Sequence, residues 1–462
     1  MKRKKVVFRI LLLPLLVLVV LSTGCSNPTK LLEKEKAYGT RSEKFAIFHR
    51  IAEADRGLGL RFPGFLVGIE KAYRDKIGIL DGIDIDNLDK NKFNSEKSYK
   101  KAKSVLGDRK RTFISHIAEY RLESKIEGIP YIKEYFLHNA YEKDFNSTEA
   151  YSLSSNALTD LKKNILKQIT AKEKSAPYTH IFLYCMGWNT DQQESFRNYN
   201  SLFSLLIENY EGTKPFRPLF VGISWPSLWK WKVFKYVGIL TSYFPKADDA
   251  DEMGLIWGNR ILRDILIPIK NEKGIPLILI GHSLGARVLT RALFSSPAVP
   301  TDLESEPARK DVDLFIGLEG AFSVRRFIHN KGWEGYPYEN FDDYAKKFVF
   351  TWSEHDGANP KAGIYGAKYI GGKAVYKYSK KFDIFEHFTI KTDGTDNNYN
   401  MIYSGVQDEV KWKQGLENSS KISIIDASEL IYYLPYFKGG NAHNDIYTPG
   451  IANFIWDCID NL

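Results

Sequence analysis

Residues 275–294 read IPLILIGHSLGARVLTRALF, and the reading of this stretch decides the fold. Leu277–Ile280 is a short apolar run bounded by Gly274 and Pro276, which predicts a buried strand. Arg287–Phe294 has the apolar spacing of an amphipathic helix. Between them Gly281-His282-Ser283-Leu284-Gly285 fits the pattern G-x-S-x-G. A strand that becomes a helix over so few residues must turn sharply. That turn predicts a strained backbone at Ser283, with its Oγ projecting from the edge of a sheet. It also predicts close approach of strand and helix backbones, so that Gly281 and Gly285 must lack a Cβ. The helix N-terminus beneath Ser283 adds a field that favours developing negative charge.

The same alternation extends on both sides of the turn. Ile181–Cys185, Leu219–Ser224, Leu314–Leu318, Phe348–Trp352 and Ile422–Ile425 are short runs rich in β-branched or aromatic residues, bounded by Gly, Pro, Asn or Asp. Ala157–Ile169, Asp191–Glu208 and Glu252–Lys270 are helix candidates. Near-continuous apolar strands alternating with helices predict an α/β fold, with a mostly parallel central sheet covered by helices on both faces. In such sheets ligands bind at the strands' C-terminal edge, so catalytic residues should follow strands directly. Residues 151–462 are assigned to this domain. Residues 25–150, rich in Lys, Asn, Asp and Tyr, are expected to form a mainly helical extension, read as a helical cap or as the first strands of the sheet.

From about Thr179 onward the chain resembles the α/β-hydrolase superfamily, and is especially similar to lipase-like bacterial members. GHSLGA is its nucleophile elbow. The resemblance covers roughly 60% of the chain and implies a reaction class, not a substrate. It implies a triad in the order Ser, Asp, His. Ser283 is the nucleophile, and it needs a base that is itself oriented by a carboxylate. His443 is the base candidate, in the Gly-rich stretch Gly439–Asp445 between the last strand and a terminal helix around Ile451–Ile459. His387 lies in an aromatic run, His282 inside the elbow is expected to point away from the serine, and His355 lacks a strand end of its own. Asp356, after Phe348–Trp352, is the preferred acid, with Glu319, after Leu314–Leu318, its rival. The oxyanion hole is expected from the amides of Leu284 and Trp188. The loop carrying Trp188 has Met186-Gly187 where the superfamily usually has His-Gly.

Ser224-Trp225-Pro226-Ser227, with Trp229 and Trp231, follows a strand and could line an acyl pocket or pack a crossover. The acidic cluster Asp248-Asp249-Ala250-Asp251-Glu252 suits a helix start better than a calcium loop, since the EF-hand spacing is absent. The sequence carries no Gly-rich phosphate loop and no zinc-ligand spacing, so no cofactor and no metal are expected. The expected function is hydrolysis of an ester, a lipid or other acyl ester, through an acyl-serine. A serine peptidase or amidase and a non-catalytic binding protein on the same scaffold are the alternatives.

The chain's N-terminus reads as a targeting signal. Lys2, Arg3, Lys4, Lys5 and Arg9 precede the uncharged run Ile10–Leu21 and then Ser22-Thr23-Gly24-Cys25. The run is shorter than the roughly 20 residues a bilayer span requires but suits a secretory signal. Residues 1–24 are therefore expected to be a lipoprotein signal peptide, with Cys25 acylated and the protein held at a membrane of a bacterial envelope. Leu21 stands four residues before Cys25, where lipoboxes more often place it three before. These five basic residues supply more than half of the net charge of +9, which argues against a nucleic-acid partner. At 44% hydrophobic and 14% aromatic, the chain can build a large core. Only Cys185 and Cys458 remain besides Cys25, and Cys185 sits in a predicted central strand, so a disulfide framework is not expected.

Overall fold

A computed structural model describes residues 59–73, 88–93, 95–107, 110–123, 131–140, 149–173, 175–188, 190, 192–213, 215–227, 246–295, 312–327, 344–359, 369–372, 388–392, 395–399, 401–405, 422–428, 430–432 and 442–462. In chain order these give β1 (Gly64–Tyr73), α1 (Glu96–Leu106), β2 (Lys110–Glu123), β3 (Tyr131–Asn139), α2 (Ala150–Lys172), β4 (His180–Cys185) and α3 (Gln192–Glu208). There follow β5 (Pro218–Ser224), a helix α4 over 246–273, β6 (Leu277–His282), α5 (Leu284–Phe294), β7 (Val312–Leu318) and β8 (Ala345–Trp352). The chain ends with β9 (Phe388–Thr392), β10 (Thr395–Tyr399), β11 (Met401–Gly405), β12 (Ile422–Asp426) and α6 (Pro449–Asp460).

Among the described residues ten strands form one sheet in the order β11-β12-β8-β7-β6-β4-β5-β1-β2-β3, and β9 and β10 pair separately. From β11 to β1 every neighbouring pair is parallel. β2 then runs antiparallel to β1 and to β3. The order reverses at β4, which lies between β5 and β6 although it precedes both in sequence. Ligand-binding crevices form at such a switch point.

Burial explains the strand composition. Every residue of β6 and β7 is buried, and so are Ile181–Cys185 of β4. Successive side chains of a strand point to opposite faces, so both faces of the sheet's centre are covered. The helices fall into two packed groups: α2 and α5 both pack on α4, while α3 packs on α6. An ionic centre joins α4 to α5. Asp251 accepts from Arg287 at 2.7 Å, Arg291 at 3.1 Å and Arg326 at 2.6 Å, all four side chains being buried. A second ionic cluster ties α4 to β1 and β2. Lys71 reaches Asp249 at 2.7 Å and Glu252 at 2.6 Å, Lys246 reaches Asp249 at 2.9 Å, and Thr112 donates to Glu252 at 3.0 Å. The acidic cluster thus fixes the helix against the sheet, a larger role than the helix start expected of it.

Of the two readings of residues 25–150, the described part fits the first strands of the sheet and not a mainly helical cap. β1, β2 and β3 supply three strands to the main sheet, and α1 is the one described α-helix before residue 149. The sheet therefore begins well before residue 151. Phe65, Leu66 and Val67 are all fully buried, which an outlying cap would not require. Residues 1–58, including the expected signal segment and Cys25, lie outside the described residues, and no described helix is long and apolar enough to cross a membrane.

Candidate active site

The elbow forms as the glycine spacing demands. β6 ends at His282, α5 begins at Leu284, and Ser283 between them has φ 54° and ψ −123°. A non-glycine residue at positive φ is strained, and such strain persists only where its surroundings fix it. Here the Ser283 amide donates to the Leu318 carbonyl at 3.0 Å, and its own carbonyl accepts from Ala286 at 3.1 Å and Ala321 at 3.0 Å. The glycines are explained by distance. A Cβ on Gly281 would stand 2.5 Å from the Ala286 Cα, and one on Gly285 would stand 2.1 Å from the Cys185 carbonyl oxygen. The Ser283 hydroxyl does not cap α5, although a serine at that position commonly would. The first helix amides, Leu284 among them, have no acceptor within the helix.

The structure brings His443 and Asp356 together. Ala442–Asn444 form a single 3-10 turn, and His443 Nδ1 lies 2.9 Å from Asp356 Oδ2. Asp356 closes a turn after β8: its Oδ1 accepts from the amides of Ala358 at 2.7 Å and Asn359 at 3.3 Å, and its Oδ2 accepts from Asn359 Nδ2 at 2.7 Å. Burial alone would raise the Asp356 carboxyl. The adjacent imidazole and these donors override it and hold the group below the ordinary aspartate value. The two ends of the site are tied directly, because His282 Nε2 meets the His443 carbonyl at 2.9 Å and the two rings are 4.9 Å apart. His282 was expected only to face away from the serine. It holds the histidine turn against the elbow.

Glu319 sits beside this pair instead of replacing Asp356 in it. Its carboxyl is fully buried, and its ligand atom, with those of Asp356 and His443, falls within a group no more than 4.8 Å across. Burial and the neighbouring Asp356 charge push its pKa well above the ordinary glutamate value. Its backbone is also at positive φ, 49°. These three side chains are the one group among the described residues that could hold a metal ion, although His443 and Asp356 already meet in a direct hydrogen bond.

On the other side of Ser283 lies the loop after β4. A Cβ on Gly187 would be 3.0 Å from the Ser283 Cβ, so this backbone passes over the serine. Trp188, the expected second oxyanion donor, is half-buried at this loop. Trp225 Nε1 donates to the Met186 carbonyl at 2.9 Å, and Ser227 bonds both the amide and the carbonyl of Thr190, at 3.0 and 2.7 Å. The Ser224–Ser227 segment thus braces the loop. Trp229, Trp231 and His387 lie outside the described residues. Cys185 and Cys458 are both free and buried.

Sequence reasoning missed Asn359 and Thr351. Asn359 Nδ2 also donates to the carbonyls of Glu319 and Gly371, each at 3.1 Å, and Thr351 Oγ1 accepts the Glu319 amide at 3.1 Å. The spacing of Asp356 and Asn359 hints at an Asx-type turn. Nothing in one sequence signals Thr351, whose role depends on strand register. No protein-family model and no curated protein matches the chain.

Proposed function

We propose that this protein is a serine hydrolase of the α/β-hydrolase type, anchored through Cys25 to a bacterial membrane and acting on an acyl ester. The observation that carries the reading is Ser283 at φ 54° between β6 and α5, one residue from the histidine that grips the His443 turn. His443 takes the Ser283 proton as Oγ attacks the substrate carbonyl carbon, and Asp356 stabilises the resulting imidazolium. The carbonyl π electrons move to oxygen, which the amides of Leu284 and Trp188 stabilise. When the tetrahedral intermediate collapses, His443 returns the proton to the leaving alkoxide, giving an acyl-serine. Water, deprotonated by the same imidazole, then attacks the acyl carbon and releases the acid and free Ser283.

Ester cleavage is preferred over amide cleavage only because a membrane-held enzyme meets lipid esters. The serine peptidase or amidase alternative uses the same residues, and relative turnover of paired ester and amide substrates separates the two. A fluorophosphonate probe tests the reading itself. Wild type is expected to be labelled and Ser283→Ala to remain unlabelled with an unchanged melting curve. Folded wild type that resists the probe would sink the proposal and favour a non-catalytic binding protein.

A further inference from the structure

We propose that Glu319 is the protonated member of a carboxylic acid–carboxylate pair with Asp356, and that by donating this proton to Asp356 it positions the carboxylate for His443. The inference rests on the hydrolase reading for its functional half, and on geometry alone for the proton.

The case begins with an imbalance of donors. Asp356 receives hydrogen bonds from His443 Nδ1, two backbone amides and Asn359 Nδ2. Glu319, equally buried, has fewer donors: the Thr351 hydroxyl at 3.4 Å on its Oε1 and the Ser353 backbone, while its Oε2 has no hydrogen-bond partner among the described residues. Two carboxyls in one buried site do not both ionise when one imidazole faces them, and the proton goes to the carboxyl with fewer donors. A proton on Oε2 turns that partnerless atom into a donor toward Asp356, its neighbour. Glu319 is high in pKa for the same two reasons, burial first and the Asp356 charge second.

The backbone holds Glu319 in place for this contact. At φ 49° it lies in the left-handed region, where a glutamate costs free energy. Thr351 binds its amide, Asn359 binds its carbonyl, and Gly371 packs so closely that a Cβ there would be 2.2 Å from the Glu319 carbonyl carbon. Asn359 thus bonds both carboxyl residues, Asp356 through its side chain and Glu319 through its main chain. Among the described residues, other titratable groups at this end of the sheet include His443 itself, His282 with its ring 4.9 Å away, Asp426 at the end of β12, and His355, whose Nε2 lies 3.8 Å from Glu354. Arg326 is committed to Asp251.

The experiment compares Glu319→Gln, which keeps an N–H donor but cannot ionise, with Glu319→Ala in the full-length protein. In infrared difference spectra between wild type and Glu319→Gln at neutral pH, wild type is expected to show an additional carbonyl stretch of a protonated carboxylic acid, beyond any that Glu252 contributes to both proteins. Missing that band in wild type overturns the shared proton whatever the activity. In kinetics, Glu319→Gln is expected to keep kcat/KM within severalfold of wild type, while Glu319→Ala loses on the order of 100-fold, mostly in kcat, because the Asp356–His443 pair is misplaced. Wild type should decline at alkaline pH as Glu319 ionises, and Glu319→Gln should stay flat over that range. A Glu319→Gln as impaired as Glu319→Ala, or with the same alkaline decline as wild type, overturns the positioning role. A wild type that shows the band but neither hydrolyses esters nor takes the fluorophosphonate refutes the hydrolase reading and leaves the proton assignment standing.

Discussion

Replacing Asp356 by Asn removes the charge facing His443 while keeping the shape of the turn. In the proposed mechanism that charge matters most when the imidazole becomes positive. Two unit charges at the observed 2.9 Å, in an effective dielectric of about 20, attract by about 5–6 kcal/mol. At about 1.4 kcal/mol per decade, complete loss would slow acylation roughly 10⁴-fold. The full loss is not expected of the single variant, because Glu319 stands next to the vacated charge. Without Asp356 as a like-charged neighbour, Glu319 loses one of the two causes that keep it protonated. It can then ionise and take over part of the work from within 4.8 Å. The expected pattern is a fall of about 10²–10³ in kcat for Asp356→Asn, and about 10⁴ for Asp356→Asn combined with Glu319→Gln. Stopped-flow burst kinetics with a nitrophenyl ester measure acylation directly, and thermal melts check folding. If the double variant is no slower than Asp356→Asn, Glu319 gives no backup and the argument for a coupled pair collapses. A fall of less than tenfold in Asp356→Asn would show that His443 does not depend on this carboxylate.

Two further outcomes follow from the packing. Gly285→Ala drives a methyl to within 2.1 Å of the Cys185 carbonyl oxygen, a backbone atom that cannot yield cheaply, so a loss of about 1–3 kcal/mol in stability is expected, with slower fluorophosphonate labelling because the Leu284 amide moves with it. Unchanged melting and labelling would contradict the close-approach argument. Glu252 is pushed up to about 7, first by burial, because Lys71 is shared with Asp249. The native state therefore holds its proton longer than the unfolded chain does, so this group's contribution is complete below the ordinary glutamate value of 4.5 and is lost as pH rises through about 7. Glu252→Gln should flatten the decline in denaturation midpoint across that window, by about 3 kcal/mol at most. A slope identical to wild type would assign the decline to another group.

The strands that were legible in the sequence are those buried on both faces. β4, β6, β7 and β8 are nearly continuous apolar runs because helices cover each side of the sheet's centre, and their sequence bounds come within a few residues of the observed ones. The sheet's other flank hides for the opposite reason. β3 has no fully buried residue, and β2 carries Glu119, Arg121 and Glu123 among its apolar positions, so neither gives a run nor a clean alternation. β1 is buried at Phe65–Val67 but continues into Glu70 and Lys71, the latter used to grip α4. A lysine that serves an interior ion pair reads, in one sequence, like a solvated one. The candidate triad was legible because each member follows a strand end. The relation of Glu319 to Asp356 was not, since it depends on β7 and β8 lying side by side and on the register Gly317–Phe350 between them.

That adjacency makes the pair a consequence of the sheet. The strands β12, β8, β7, β6 and β4 are neighbours in that order, and their C-terminal ends lead to His443, Asp356, Glu319, Ser283 and Gly187 respectively. Neighbouring parallel strands are about 4.8 Å apart. Ser283 and Asp356, separated by one strand, therefore stand roughly 10 Å apart at their roots, too far for a direct hydrogen bond. In the proposed mechanism a third group spans the gap, and the His443 ring, which meets Asp356 at 2.9 Å and whose carbonyl is held by His282 next to Ser283, is the group assigned that part. The strand beneath that span is β7, whose last side-chain position is followed at once by Glu319. A charged carboxylate there would add a second negative charge between the acid and the nucleophile and hold the imidazole protonated when it must act as a base. A neutral carboxylic acid at the same place does the reverse, binding Asp356 without competing for the proton that His443 takes from Ser283. The position of Glu319 in the strand order thus requires that it be uncharged for the proposed chemistry to run, and its burial supplies the means.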